Sequence, residues 1–237
     1  MKITRGFKVR GFILATAFSA GLGFGTHASA QARHSYLIDL NSKTATELGT
    51  FGGFYSEAQG INDVGRVVGW SDTAEFFEHA FITGPNGMGM RDLGTFGGLY
   101  SEAYGINGAG RVVGWYIPAG DGRHAFITGP DGMGMRDLGT LGGDYGSALG
   151  INDAGQVVGT SVTDGDTQHA FITGPDGSGM MDLNSLVHLP NGVILTEAIG
   201  INNAGQVIAV GTIPEPEAYA LFLAGLGLVG FMTRRRR

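Results

Sequence analysis

Apolar and polar residues alternate along the chain in short runs, and the runs recur. Ala103-Tyr104-Gly105-Ile106-Asn107 leads through Gly108-Ala109-Gly110 into Arg111-Val112-Val113-Gly114-Trp115. This is the pattern of two strands around a tight loop, in which a glycine takes the left-handed conformation. Gly-Ile-Asn opens the same pattern at 60–62, 105–107, 150–152 and 200–202, with spacings of 45, 45 and 50. A second pattern, His-Ala-Phe-Ile-Thr-Gly-Pro, begins at His79, His124 and His169, and a degenerate copy, His34-Ser35-Tyr36-Leu37-Ile38, stands one period earlier. It runs through Pro85-Asn86-Gly87, Pro130-Asp131-Gly132 or Pro175-Asp176-Gly177 into a strand such as Met90-Arg91-Asp92-Leu93-Gly94. Asn-Gly and Asp-Gly tolerate the positive φ of such turns. Nothing between the two ends of the chain has the period of a long amphipathic helix.

Four short strands in about 45 residues is the size of one propeller blade. The series begins with a His-type hairpin and ends with an Asn-type hairpin, so in a closed ring the two outer halves complete one blade. The predicted fold is therefore all-β, a four-bladed β-propeller over residues 31–212 closed by its N- and C-terminal hairpins, which leaves only short protected edges. The alternative is an open array of β-hairpin repeats.

The two ends of the chain differ from this middle. Lys2, Arg5, Lys8 and Arg10 precede an apolar run from Gly11 to Gly25, and Ala28-Ser29-Ala30 follows before Gln31. A basic start, a short apolar core and small residues predict a signal peptide over residues 1–30, cleaved after Ala30 with Ala28 and Ala30 as the small recognition positions. At the other end, Pro214-Glu215-Pro216-Glu217 leads into an uncharged run from Ala218 to Thr233, then into Arg234, Arg235, Arg236 and Arg237. The prolines keep the chain extended, so a helix starts only after them. Sixteen helical residues span about 24 Å, somewhat short of a bilayer core of about 30 Å, and flanking residues extend the fit. The arginines keep the tail end cytoplasmic and direct the rest outward.

This tail resembles the PEP-CTERM sorting signal of Gram-negative bacteria, with Ile213 before the motif and Glu217 after it as mild departures. The resemblance implies residues 213–237 as a sorting segment, cleavage by exosortase, a membrane-embedded protease, and only transient anchoring in the inner membrane. Pro214, Glu215 and Pro216 would then be recognised by the protease and have no catalytic part in this chain.

Charge follows the same division. The 15 basic residues include four at each end, and all 21 acidic residues lie between Asp39 and Glu217. The middle thus carries seven basic residues, a net −14 against −6 for the whole chain, which disfavours a nucleic-acid partner. With no Cys there is no disulfide framework, thiol nucleophile or Cys-type metal site. Gly and Pro total 51 of 237 residues, too few for a low-complexity disordered chain, and most of the glycines punctuate the repeats.

His-Ala-Phe, then Asp-Leu-Gly-Thr-Phe-Gly-Gly, then Gly-Ile-Asn-Asp-x-Gly-x-Val-Val-Gly, resembles the HAF family of extracellular repeats over roughly residues 33–211. The resemblance implies export and a β-rich repeat; it brings no activity.

Several side chains recur at equivalent places. His34, His79, His124 and His169 could form a metal-binding ring in a closed propeller, but their repetition reads better as strand-end hydrogen bonding. Glu57, Glu102 and Glu197, with Ser147 at the fourth place, are candidates for a glycan-active hydrolase, which needs paired carboxylates at a defined separation in a cleft. Asp92, Asp137 and Asp182 read as partners for turn backbone donors. No nucleophile-elbow, metalloprotease or phosphate-loop motif is present. Recognition is expected where the units differ, in the connections 71–78, 116–123 and 161–168. Their distinctive residues are Phe76, Phe77, Tyr116, Asp164 and Asp166; the last two supply too few oxygens for a Ca²⁺ site. The five extra residues of the last unit, between Asn184 and Glu197, are a second place to look.

The sequence thus leads to an exported, non-enzymatic repeat protein without cofactor, catalytic residues or metal. Its expected partners are signal peptidase and an exosortase-type protease during export, with extracellular polysaccharide as the candidate ligand. Its expected place is the cell envelope, cell surface or extracellular matrix. The alternatives are a secreted glycan-active hydrolase using Glu57 or Glu102 and a metal-binding repeat protein.

Overall fold

The computed structural model describes residues 31–213, apart from Asp121 and Asn191. The predicted signal peptide with Ala28 and Ala30, and the predicted tail with Pro214, Glu215, Pro216 and Arg234–Arg237, lie outside the described residues. Among the described residues no helix is long and apolar enough to cross a membrane.

The chain is all β, with short 3₁₀ turns. Strands β1 (Tyr36–Asp39) and β2 (Thr44–Glu47) form a hairpin. Three four-stranded antiparallel sheets follow, each a meander in chain order. The first has β3 (Gly52–Ile61), β4 (Val67–Thr73), β5 (Glu78–Ile82) and β6 (Arg91–Asp92). The second has β7 (Tyr100–Ile106), β8 (Val112–Ile117), β9 (His124–Thr128) and β10 (Met135–Gly139). The third has β11 (Gly142–Ile151), β12 (Val157–Thr163), β13 (Gln168–Thr173) and β14 (Met180–Asp182). A last hairpin, β15 (Ile194–Ile201) with β16 (Val207–Thr212), ends the described chain.

Each sheet therefore joins an Asn-type hairpin to the His-type hairpin that follows it. The expected shared fourth sheet is not formed: β1–β2 and β15–β16 stand as separate two-stranded sheets. Among the described residues there are thus three full sheets and two half-sheets where one closed ring was expected.

The turns take the backbone their residues predict. Asn86, Asp131 and Asp176 have φ near +57, and each is followed by a glycine that is also left-handed. Gly65, Gly110, Gly155 and Gly205 take φ between +73 and +78 in the Asn-type loops.

The core lies between successive sheets. Phe81, Phe126 and Phe171, the aromatic of each His-type strand, are fully buried, as are Val68, Val113 and Val158 of the strands paired beside them. Val68, Ala80 and Ile82 of the first sheet pack with Ala103, Val112 and Phe126 of the second. Val113, Ala125 and Ile127 of the second pack with Ala148, Val157 and Phe171 of the third. The third sheet covers Ala198 of β15, and Leu37 and Leu48 of the first hairpin lie against Val67 and Phe81. Burying one such phenylalanine contributes about 1.5–3 kcal/mol, so the three together account for much of the stability of a domain this size.

Candidate functional site

The two kinds of loop lie at opposite ends of the strands, and each end makes its own surface. At one end the four Asn-type loops converge. Ile61, Ile106, Ile151 and Ile201, with the Asn that follows each, line a single open depression of about 320 Å³. The asparagines build it: Asn62 Nδ2 donates to the Asn107 carbonyl at 3.1 Å, Asn107 to Asn152 at 3.0 Å, and Asn152 to Asn202 at 3.2 Å. Each Oδ1 meanwhile accepts from backbone N–H groups of its own loop. Asp153 accepts from the Gly108 N–H and from Asn203 Nδ2, contacts that hold its carboxyl below the usual range. These polar groups are satisfied by one another, so the depression is an architectural seam more than a waiting site.

At the opposite end lie the variable connections, shorter than expected. Half of residues 71–78 and half of residues 161–168 is strand, leaving tight turns from Thr73 to Phe77 and from Thr163 to Thr167. Phe76 caps the first turn at φ +65, 61 % exposed and stacked on Phe54 at 5.8 Å. Asp166 holds the equivalent place at φ +56, and both Asp164 and Asp166 are exposed. Phe77 is half-buried, edge-on to Tyr100. Tyr116, expected on a surface loop, is instead buried in β8 against Phe96 and His124. Its place on the inward face of the strand continues the Val112-Tyr116 side of β8, and the run Tyr-Ile-Pro hid that continuation. The inserted segment of the last unit is tied down by Asn184, which accepts from the Leu195 N–H and donates to its carbonyl.

Behind this aromatic rim, between the first and second sheets, sits a polar group that sequence reasoning only half anticipated. Glu102 accepts from Tyr104 Oη at 2.7 Å, and Tyr104 in turn accepts from Trp115 Nε1 at 2.9 Å. The Arg123 guanidinium lies 3.8 Å over the Trp115 ring and donates to Tyr145 Oη. Glu78 joins the group. Burial, and then its hydrogen bond with the Glu102 carboxylate and that group's charge, raise the Glu78 carboxyl above the usual range. Burial and the same Glu102 push the Tyr104 hydroxyl up to about 12. Glu78 was missed because its equivalents, Arg33, Arg123 and Gln168, have no common chemistry. Only alignment of the unlike positions would have exposed it. Of the other recurring glutamates, Glu57 lies by Gln59 and Arg33, while Glu197 has neither a tyrosine nor a tryptophan at the matching places.

The four histidines are used within their own hairpins. Nδ1 of His79, His124 and His169 lies 2.7, 3.3 and 2.7 Å from Asp92, Asp137 and Asp182, and that of His34 pairs with Glu47. Asp92, Asp137 and Asp182 also accept from the N–H two residues on. Among the described residues no group of three or more His, Asp or Glu side chains is placed to hold a metal.

Residues 212–237 match the PEP-CTERM protein-sorting motif. No curated protein matches the chain in sequence. Among solved structures, TolB from Acinetobacter baumannii is similar with a TM-score of 0.44 and 19% identity, over 60% of this chain and 35% of the TolB chain. This chain therefore spans about a third of that structure's length. The sorting motif, which takes up directly where β16 ends, marks the chain as an exported protein processed by an exosortase on its way to the cell envelope or surface.

Proposed function

We propose that this chain is a non-enzymatic envelope or extracellular-matrix protein: a β-repeat domain, built as a four-bladed propeller, that presents its aromatic rim to extracellular polysaccharide. The observation that carries the reading is the sorting motif following the last strand without a linker, which makes the repeat domain the cargo. The likeness of the repeat wording to HAF repeats supports the same reading. Export begins with signal peptidase acting after Ala30, and the uncharged run of residues 218–233 holds the chain in the inner membrane until processing. The rim residues Phe54 and Phe76 offer a stacked apolar face of the kind sugar rings pack on, while Asp164 and Asp166 present polar groups on the equivalent turn of the third sheet.

The hydrolase alternative gains less support. Of its two candidate acids, Glu57 is hydrogen-bonded by Gln59 and lies near Arg33. Glu102 is further occupied by Tyr104. The metal-binding alternative loses its ligands to the acids beside each histidine.

The test is intact-mass measurement of the protein released by its native host, paired with a glycan-binding screen. The expected mass begins at Gln31 and lacks Arg234–Arg237. A released form that keeps the arginines overturns the processing. Binding of a polysaccharide that Phe76→Ala abolishes supports the rim, and equal binding by both forms overturns it.

A further inference from the structure

Away from the aromatic rim, the domain gathers positive charge at the end with the Asn-type loops. Of the seven basic residues between the two ends of the chain, Arg66, Arg91, Arg111 and Arg136 stand here in two equivalent pairs. Arg66 precedes β4 and Arg91 lies in β6, and both reach across to Asp131 in the turn after β9. Arg66 Nη1 pairs with the Asp131 carboxylate, and Arg91 Nη2 donates to the Asp131 carbonyl at 2.6 Å. One period on, Arg111 Nη1 pairs with the Asp176 carboxylate and Arg136 Nη2 donates to the Asp176 carbonyl. At the third place Gln156 and Met181 replace both arginines together, so the two guanidiniums form a unit.

A salt bridge between neighbouring sheets needs one of these cations, not two. Arg66 already pairs with the Asp131 carboxylate, and the exposed Arg91 adds a second cation where the one anion is taken. Counted over these three side chains, each junction keeps a net positive charge inside an acidic domain. Donors are left over as well. Among the described residues neither Arg66 nor Arg91 makes a further side-chain hydrogen bond, and Arg111 Nε is buried without a hydrogen-bond partner. At the first junction a cavity of about 260 Å³ is walled by Arg66, Arg91 and Asp131 with Ile82, Thr83 and Gly84. That is below the roughly 300–1,000 Å³ of a pocket for a drug-sized molecule, and it suits a single small group.

We propose that each junction is an oxyanion site, taking one carboxylate, sulfate or phosphate group between its two arginines. The planar fork of a guanidinium matches such groups with paired N–H donors. Here the forks are held in advance, Arg66 and Arg111 by a carboxylate and Arg91 and Arg136 by a backbone carbonyl. Little side-chain freedom is therefore lost on binding. The sites lie at the opposite end of the strands from Phe54 and Phe76 and do not depend on binding there. Their ligand is a free anion or the acidic sugars of a polymer, and a polymer gains from two sites one period apart.

Calorimetric titration of the full chain with sulfate, against chloride at matched ionic strength, tests this. Saturable binding of two sulfates per chain is expected, together with its loss in Arg91→Gln with Arg136→Gln, both exposed positions. Absence of saturable binding, or full binding by the folded double variant, overturns the sites. Asp131→Asn separates a ligand site from a plain bridge. It frees Arg66 Nη1 and is expected to tighten sulfate binding at that junction; unchanged or weaker binding overturns the part given to Arg66. Should the double variant fail to fold, the arginine side-chain N–H resonances of the unsubstituted chain decide: saturable shifts with sulfate support the sites, and unmoved signals overturn them. A last comparison sets the source. A hexuronate oligomer that binds about 10²-fold tighter than its monomer assigns a polymer, and equal binding per carboxylate assigns free anions.

Discussion

Single side chains in this repeat matter most where they break the period. Glu78 stands where its equivalents are Arg33, Arg123 and Gln168, and its raised carboxyl means that the folded state holds its proton more tightly than the unfolded chain does. Stability from such a group is present below the unfolded pKa and is lost as pH rises through the folded one. Glu78→Gln, the residue already present at the equivalent position 168, is therefore expected to raise Tm at pH 7, with the gain shrinking toward pH 4; a scan of Tm against pH checks it. Phe76 is the second case. A left-handed backbone costs a bulky residue about 1–2 kcal/mol, and the stack on Phe54 returns about 0.5–1.5 kcal/mol. Phe76→Asn is expected to leave Tm nearly unchanged by calorimetry while removing any glycan binding.

The hairpin is the element on which the fold is built, and its loop asparagine does two jobs. Asn107 closes its own loop and reaches into the next, and it is buried; Asn202 closes its loop alone and is exposed. Leaving buried partners unpaired costs about 1–3 kcal/mol. Urea unfolding is expected to show Asn107→Ala losing that much and Asn202→Ala well under half of it. Strand glycines are as exacting. A Cβ at Gly114 would stand 1.9 Å from the Glu102 carbonyl oxygen. Gly114→Ala is thus expected to cost about 1–3 kcal/mol or more as overpacking, read from the same denaturation curves. Ala209 is tolerated at the equivalent place in β16, which is exposed. These hairpins and their turns were legible in sequence because Asn-Gly, Asp-Gly and the Gly-Ile-Asn wording each impose local backbone geometry. The Glu78–Glu102 contact was not, since it joins strands of different sheets and no local rule relates them.

At the scale of the molecule, sheets stack in chain order and each buries one face of the next, the economy expected of a repeat. Charge is a property of the same scale. A domain with seven basic and 19 acidic residues should stay unbound to duplex DNA at about 50 mM salt, where phosphate binding is strongest. Retention of the DNA-bound fraction in a gel-shift assay would contradict that. The tail acts on the whole chain too: it converts an acidic β domain into cargo for an exosortase.

By itself the sequence determined the period, the strand pairs, the turn conformations and the sorting signal, because each depends on residues within a few positions of one another. Tertiary structure decided how hairpins combine into sheets, that Tyr116 is core and not loop, and that Glu78 meets Glu102. It also left β1–β2 and β15–β16 as separate two-stranded sheets. Those outcomes depend on which face of a strand the neighbouring sheet covers, a relation among residues far apart in the chain that short-range pattern cannot encode.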